Sequence, residues 1–206
     1  MSTATALVRR APLRPSAATA TGALAALASV AVTVRLGLSS WTIVVAAAVW
    51  VLVWIAAIDL ESRLLPDRIV LPVTAAVLVA CAVIQPRHAL AHLLAALAVG
   101  GFLFVAALAR PGDLGMGDAK LALLLGALLG RAVLPALMLG FVLFAVVGIV
   151  LVVREGRSAL KRQLPLGPFL ALGAIATLLL AGGHSLQVNH LPDPPPLMAT
   201  TPQPAR

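Results

Sequence analysis

Two aspartates far apart in the chain stand where apolar runs meet polar sequence. Asp59 closes the run 41–58, and Asp118 opens the run that follows Gly115-Met116-Gly117. An ionisable residue at membrane depth is costly, and by default it marks a functional site. Two carboxylates that share one site cannot both ionise cheaply, so the pair holds one proton. One then serves as general base toward a water, and the other as acid toward a carbonyl oxygen and a leaving amine. That is the chemistry of aspartic proteolysis, and it uses neither a metal nor a thiol. Each acid alone has a plainer reading. Gly-Asp before an apolar run looks like a helix N-cap, and Asp59 suits an interfacial helix end. The pair, on one face of a membrane, is what carries chemical information.

The residues beside Asp118 have a use in this chemistry. A protease holds its substrate extended beside the catalytic acids, and side chains at Gly115 and Gly117 would obstruct that approach. Glycine also permits positive φ and close backbone contact, although a plain turn accounts for the same two residues. Lys120 completes the candidate substrate-binding rim. Its i,i+2 spacing turns it away from Asp118 on a helix, and lipid-headgroup contact explains it as well. Asp67, after Pro66, is expected to cap the next helix, and Glu61 and Asp113 are expected to be solvated. His88 and His92 are four residues apart, but they lack the glutamate and third ligand of a zinc helix. His184 and His190 add no ligand spacing, so neither metal nor cofactor is expected. Cys81, the single cysteine, lies inside an apolar run and is expected to be packed core.

Membrane helices are the elements that must position these residues. Of 206 residues, 61% are hydrophobic and 11% charged, and several runs approach the roughly 20 apolar residues that cross a bilayer. Open sheet would leave backbone groups unpaired in lipid, and the period-two alternation of a membrane barrel is missing. The expected fold is all-α, a polytopic bundle of about seven spans at 17–38, 41–58, 69–84, 89–109, 118–130, 132–153 and 165–182. The first run is longer than the roughly 7–15 residues of a signal-peptide core, and more membrane sequence follows it, so it reads as a retained span. Trp41 is placed as an interfacial anchor, and Pro72 falls in the first turn of its span, where proline is tolerated. Residues 1–16 form a basic tail, 17–182 the membrane-embedded domain, and 183–206 a proline-rich tail expected to be disordered.

The basic residues set the orientation. With the N-terminus inside and seven spans, eleven of the fifteen Lys and Arg fall on the cytoplasmic side, and Arg35, Arg87, Arg131 and Arg206 fall outside. The same count puts Asp59, Asp118 and the loop 154–164 on one cytoplasmic face. The net charge of +8 is spread over helix ends, and aromatics are sparse, which argues against nucleic acid as a partner.

Asp59, six residues and Pro66-Asp67, followed later by Gly115-Met116-Gly117-Asp118-Ala119-Lys120-Leu121, resemble the type IV prepilin leader peptidase family. These are membrane aspartyl proteases of the Gly-x-Gly-Asp kind. Leu164-Pro165-Leu166-Gly167-Pro168-Phe169-Leu170 is similar to the family's Pro-Phe-Gly-Pro-Phe segment, with Leu166 in place of a phenylalanine. Three separated motifs in order, over about residues 41–182, make the resemblance specific. It implies that Asp59 and Asp118 are the catalytic pair. It implies a prepilin or pseudopilin substrate, cut after a short basic leader at the cytoplasmic face of the inner membrane. Many relatives resemble a fusion with a segment carrying paired Cys-x-x-Cys motifs and N-methyltransferase activity. Without such cysteines, this chain is expected to be a short form that cleaves and does not methylate.

Two other classes fit acids in a membrane. A small transporter or channel would use them to bind a cation or relay a proton, although no two-fold repeat relates the Asp59 and Asp118 segments. A non-catalytic scaffold of pilus assembly would use them structurally. The sequence leaves the oligomeric state open.

Overall fold

The computed structural model describes residues 15–62, 67–109, 115–156 and 164–186. Residues 1–14 of the expected basic tail 1–16 and residues 187–206 of the expected tail 183–206 lie outside these residues, as do the polar connections 63–66, 110–114 and 157–163, whereas 15–16 and 183–186 belong to helices. The described chain forms seven α-helices: α1 Pro15–Leu36, α2 Ser40–Ser62, α3 Asp67–Ile84, α4 Pro86–Ala109, α5 Met116–Leu129, α6 Val133–Glu155 and α7 Gly167–Leu186. A short 3₁₀ turn, Gly130–Ala132, joins α5 to α6. The fold is an all-α, multi-pass membrane bundle. Four stretches are long and apolar enough to cross a bilayer (Ala18–Leu36, Ser40–Leu60, Pro86–Ala109 and Met116–Glu155), and Ile69–Ile84 and Gly167–Leu180 are shorter apolar helices.

The elements follow from composition. The helices carry long apolar stretches whose backbone hydrogen bonds close within the segment, as lipid requires. Large apolar side chains such as Leu27, Val34, Phe102, Leu134, Ile149 and Leu180 remain exposed, a surface of the kind that faces hydrocarbon. α5 is different. Ten of its fourteen residues are buried, so it is the central helix, apolar on all sides because protein surrounds it. This explains why the fifth run is too short to span a bilayer squarely. At about 1.5 Å per residue it is roughly 21 Å long, and its neighbours, not lipid, fix its ends.

α4 and α3 flank α5, α6 packs on α7, and α1 pairs with α2. α7 also reaches α1, α2 and α5, so it closes the bundle against the helices that hold the acids. Bare backbone makes the tightest contacts possible, as in membrane helix pairs generally. A β-carbon on Gly126 would lie 2.5 Å from the Ala96 Cα of α4, and one on Gly173 would lie 2.7 Å from the Gly140 nitrogen of α6. Side-chain hydrogen bonds between helices add ties: Ser29 Oγ donates to the Ala46 carbonyl at 2.9 Å, and Arg35 Nε donates to the Leu179 carbonyl at 3.0 Å. Cys81 is fully buried in the core.

Several expectations are corrected. α2 does not stop at Asp59 but runs on through Ser62, because Leu60, Glu61 and Ser62 can all be accommodated in a helix. α3 begins at Asp67, two residues earlier than expected. Pro72 therefore falls in the second turn, inside the helix, and removes one backbone donor there. Trp41 is no interfacial anchor: it is 4% exposed and turns inward onto His92.

Candidate functional site

Asp59 and Asp118 enter the same end of the bundle from two helices. Asp59 sits in the last turn of α2 and Asp118 in the first turn of α5. Both are buried, at 5% and 9% exposure, which is unusual for carboxylates. α2 and α5 share little direct packing among the described residues, and α3 and α7 contact both. The two acids are thus carried by helices that α3 and α7 bridge.

Asp118 is not the N-cap of its helix. Gly115 occupies that position without a side-chain cap, and its carbonyl accepts the Asp118 backbone N–H at 3.0 Å. Asp118 is the third helical residue. Its carboxylate lies back over Gly115, whose backbone N–H is directed at it. This is one half of the reciprocal pattern by which an N3 carboxylate satisfies an orphan donor. The capping role and the catalytic role are thus compatible, since that bond occupies only one of the two carboxylate oxygens.

Asp59 is less well provided. The backbone N–H of Gly167, the first residue of α7, approaches its carboxylate. Oδ2 nevertheless has no hydrogen-bond partner among the described residues. A buried carboxylate oxygen without a partner is costly and calls for a functional explanation. Such an acceptor is suited to a water or a substrate group.

Gly167 is the residue that the sequence reading missed. A β-carbon there would sit 2.6 Å from Asp59 Oδ2 and 3.5 Å from Leu121 Cδ2. Leu121 lies one helical turn beyond Asp118, so Gly167 fills the space between the two acid-bearing helices. The signal is present in the Pro165-Leu166-Gly167-Pro168-Phe169 segment, whose sequence marks the family without showing that it borders the site. Leu166 is buried beside it, and Phe169 packs edge-on against Phe144 of α6 at 5.5 Å, which anchors the α7 N-terminus.

The other expected site residues have the following places. Gly115 has φ −72 and ψ 135, so it does not use the left-handed freedom of glycine. What matters there is space, because a β-carbon would lie 3.2 Å from Asp118 Oδ2. Gly117 is a half-buried residue in the first turn of α5, and Lys120 is half-buried one turn further on. Pro66 and Asp113 lie outside the described residues, as do the side chains of Glu61 and Asp67.

A multi-pass helical bundle with a buried aspartate pair at one end defines a class of membrane protein, and comparison with known proteins gives the family. Residues 46–153, which include both aspartates, match the type IV leader peptidase family. A prepilin leader peptidase/N-methyltransferase of Burkholderia pseudomallei is 37% identical over 143 residues, covering 62% of this chain and 45% of that protein. Proteins of the same name match from Aeromonas hydrophila, 35% identical over 76% of this chain and 56% of the relative, and from Bacillus subtilis, 33% identical over 80% and 65%. This chain belongs to the type IV leader peptidase family. It spans about half the length of the curated relatives it matches. No solved structure matches it.

Proposed function

We propose that this chain is an aspartic endopeptidase that hydrolyses the peptide bond after the basic leader of type IV pilin-like precursors. The observation that carries this reading is the burial of two aspartates, Asp59 and Asp118, on helices that otherwise barely touch, with the same glycine, Gly167, set against Asp59 Oδ2 and against Leu121 one turn beyond Asp118. One carboxylate takes a proton from water as its oxygen attacks the scissile carbonyl carbon. The other gives its proton to the carbonyl oxygen. When the resulting diol collapses, the C–N bond breaks and the amine leaves with a proton from the pair. The unpartnered Oδ2 of Asp59 is the natural acceptor from that water.

Gly115, Gly117 and Lys120 form the rim along which the substrate lies extended. The site faces the cytoplasm across the inner membrane, as the distribution of Lys and Arg supports. The apolar helix that follows a pilin leader would rest in the bilayer beside the bundle, so that its first residues reach the acids at the boundary.

The test is co-expression with a candidate prepilin, following leader loss by mass spectrometry. Asp59→Asn and Asp118→Asn should each insert normally and release no leader. Proton-coupled uptake without processing would instead favour a transporter, and assembly without processing would favour a scaffold.

A further inference from the structure

The far end of the bundle holds a second polar cluster that the proposed chemistry does not use. His92, in the second turn of α4, is 7% exposed. Its Nδ1 donates to the Ala127 carbonyl of α5 at 2.8 Å. Its ring meets Trp41 of α2 edge-on, with centroids 5.4 Å apart and planes at 85°. The ring leaves no room for a side chain at Gly130, where a β-carbon would lie 2.8 Å from Nε2 and where φ is +54.

The Ala127 carbonyl needs this partner. It belongs to the last turn of α5, where carbonyls lose their intrahelical donors, and the 3₁₀ turn at Gly130 diverts the chain from the helical path. Leu128, Leu129 and Val133, close by in the chain, are buried, and a carbonyl in apolar surroundings calls for a donor from the protein. His92 supplies it.

The two helices that His92 ties together are the two that carry the acids. Trp41 lies near one end of α2 and Asp59 near the other. Ala127 lies near one end of α5 and Asp118 near the other. At about 1.5 Å per residue these separations are roughly 27 and 14 Å. Since α2 and α5 share little direct packing, their relative tilt is set by what bridges them. We propose that His92 is a positioning residue for the aspartate pair, a strut that fixes the spacing of Asp59 and Asp118 from the opposite end of their helices. The proposal rests on the proteolytic reading for its kinetic consequence but not for its geometric one.

The experiment compares His92→Leu with His92→Asn, whose amide nitrogen can take the place of Nδ1. Two readouts are used on the full chain: prepilin cleavage, and the distance distribution between spin labels at exposed Leu60 and Met116 in a Cys81→Ala background. His92→Leu should lower kcat about 10- to 100-fold with KM little changed, the size of effect that a displacement of about 1 Å at a reacting centre produces. It should also broaden or shift the label distances, and His92→Asn should restore both. Trp41→Leu, which loosens the α2 side of the strut, should move both readouts in the same direction and serves if His92→Leu fails to insert. Native kcat in His92→Leu, equal damage by Asn and Leu, or lost cleavage at an unchanged label distance would each overturn the strut. If the parent chain cleaves no prepilin, the proteolytic reading fails, and the label distances still decide the strut on their own.

Discussion

Gly167 stands against Asp59 with no side chain between them: a β-carbon at this position would come within 2.6 Å of Oδ2. The first residue of α7 is thus a third wall of the candidate site, and its lack of a side chain is what leaves room for the Asp59 carboxylate.

Gly167→Ala should therefore displace Asp59 or push α7 outward. Cleavage should fall about 10- to 100-fold, because small displacements at a reacting centre are expensive. Membrane insertion should be retained. The check is prepilin turnover measured beside the amount of inserted protein, and an alanine variant with native turnover would show that the contact can relax without consequence.

Gly115→Ala should be milder. Its β-carbon would meet Asp118 Oδ2 at 3.2 Å, against 2.6 Å at the Gly167 contact, so the carboxylate needs to give by only a few tenths of an ångström. Gly117→Val, on the proposed substrate rim, should reduce cleavage with little loss of insertion. Turnover assays should rank Gly115→Ala above Gly167→Ala, and the reverse order would contradict the spatial argument.

The same reasoning separates fold from chemistry at the α4–α5 interface. A side chain on Gly126 would strike the Ala96 backbone at 2.5 Å, whereas one on Gly101 would meet nothing within 4 Å. Gly126→Ala should destabilise the bundle by about 1–3 kcal/mol, the usual cost of overpacking a tight contact, and Gly101→Ala should be silent. Thermal unfolding in detergent measures both, and equal stability of the two variants would contradict the packing described.

Much of this was legible in the chain because lipid simplifies the rules. Apolar length alone located the helices, and Asp59 and Asp118 stood out because acids are rare at that depth. What the sequence could not show were the relationships between helices. Nothing in the run 118–130 says that α5 is central, since an apolar helix facing protein and one facing lipid have the same composition. Trp41 was misjudged for the same reason: at a helix end, an aromatic suits an interface or an inward contact equally well, and its partner His92 lies some fifty residues away. Gly167 was visible as a residue but not as a neighbour of Asp59, because close approach across helices leaves no periodic signal.

The most direct measurement is the single-turnover cleavage rate of Asp59→Asn, Asp118→Asn and the double variant on one prepilin. Residues that act as a unit lose nearly everything when either is removed. The account predicts that all three variants fall to the same background, with insertion intact. Native processing by either single variant, or losses that accumulate from the singles to the double, would contradict a shared site.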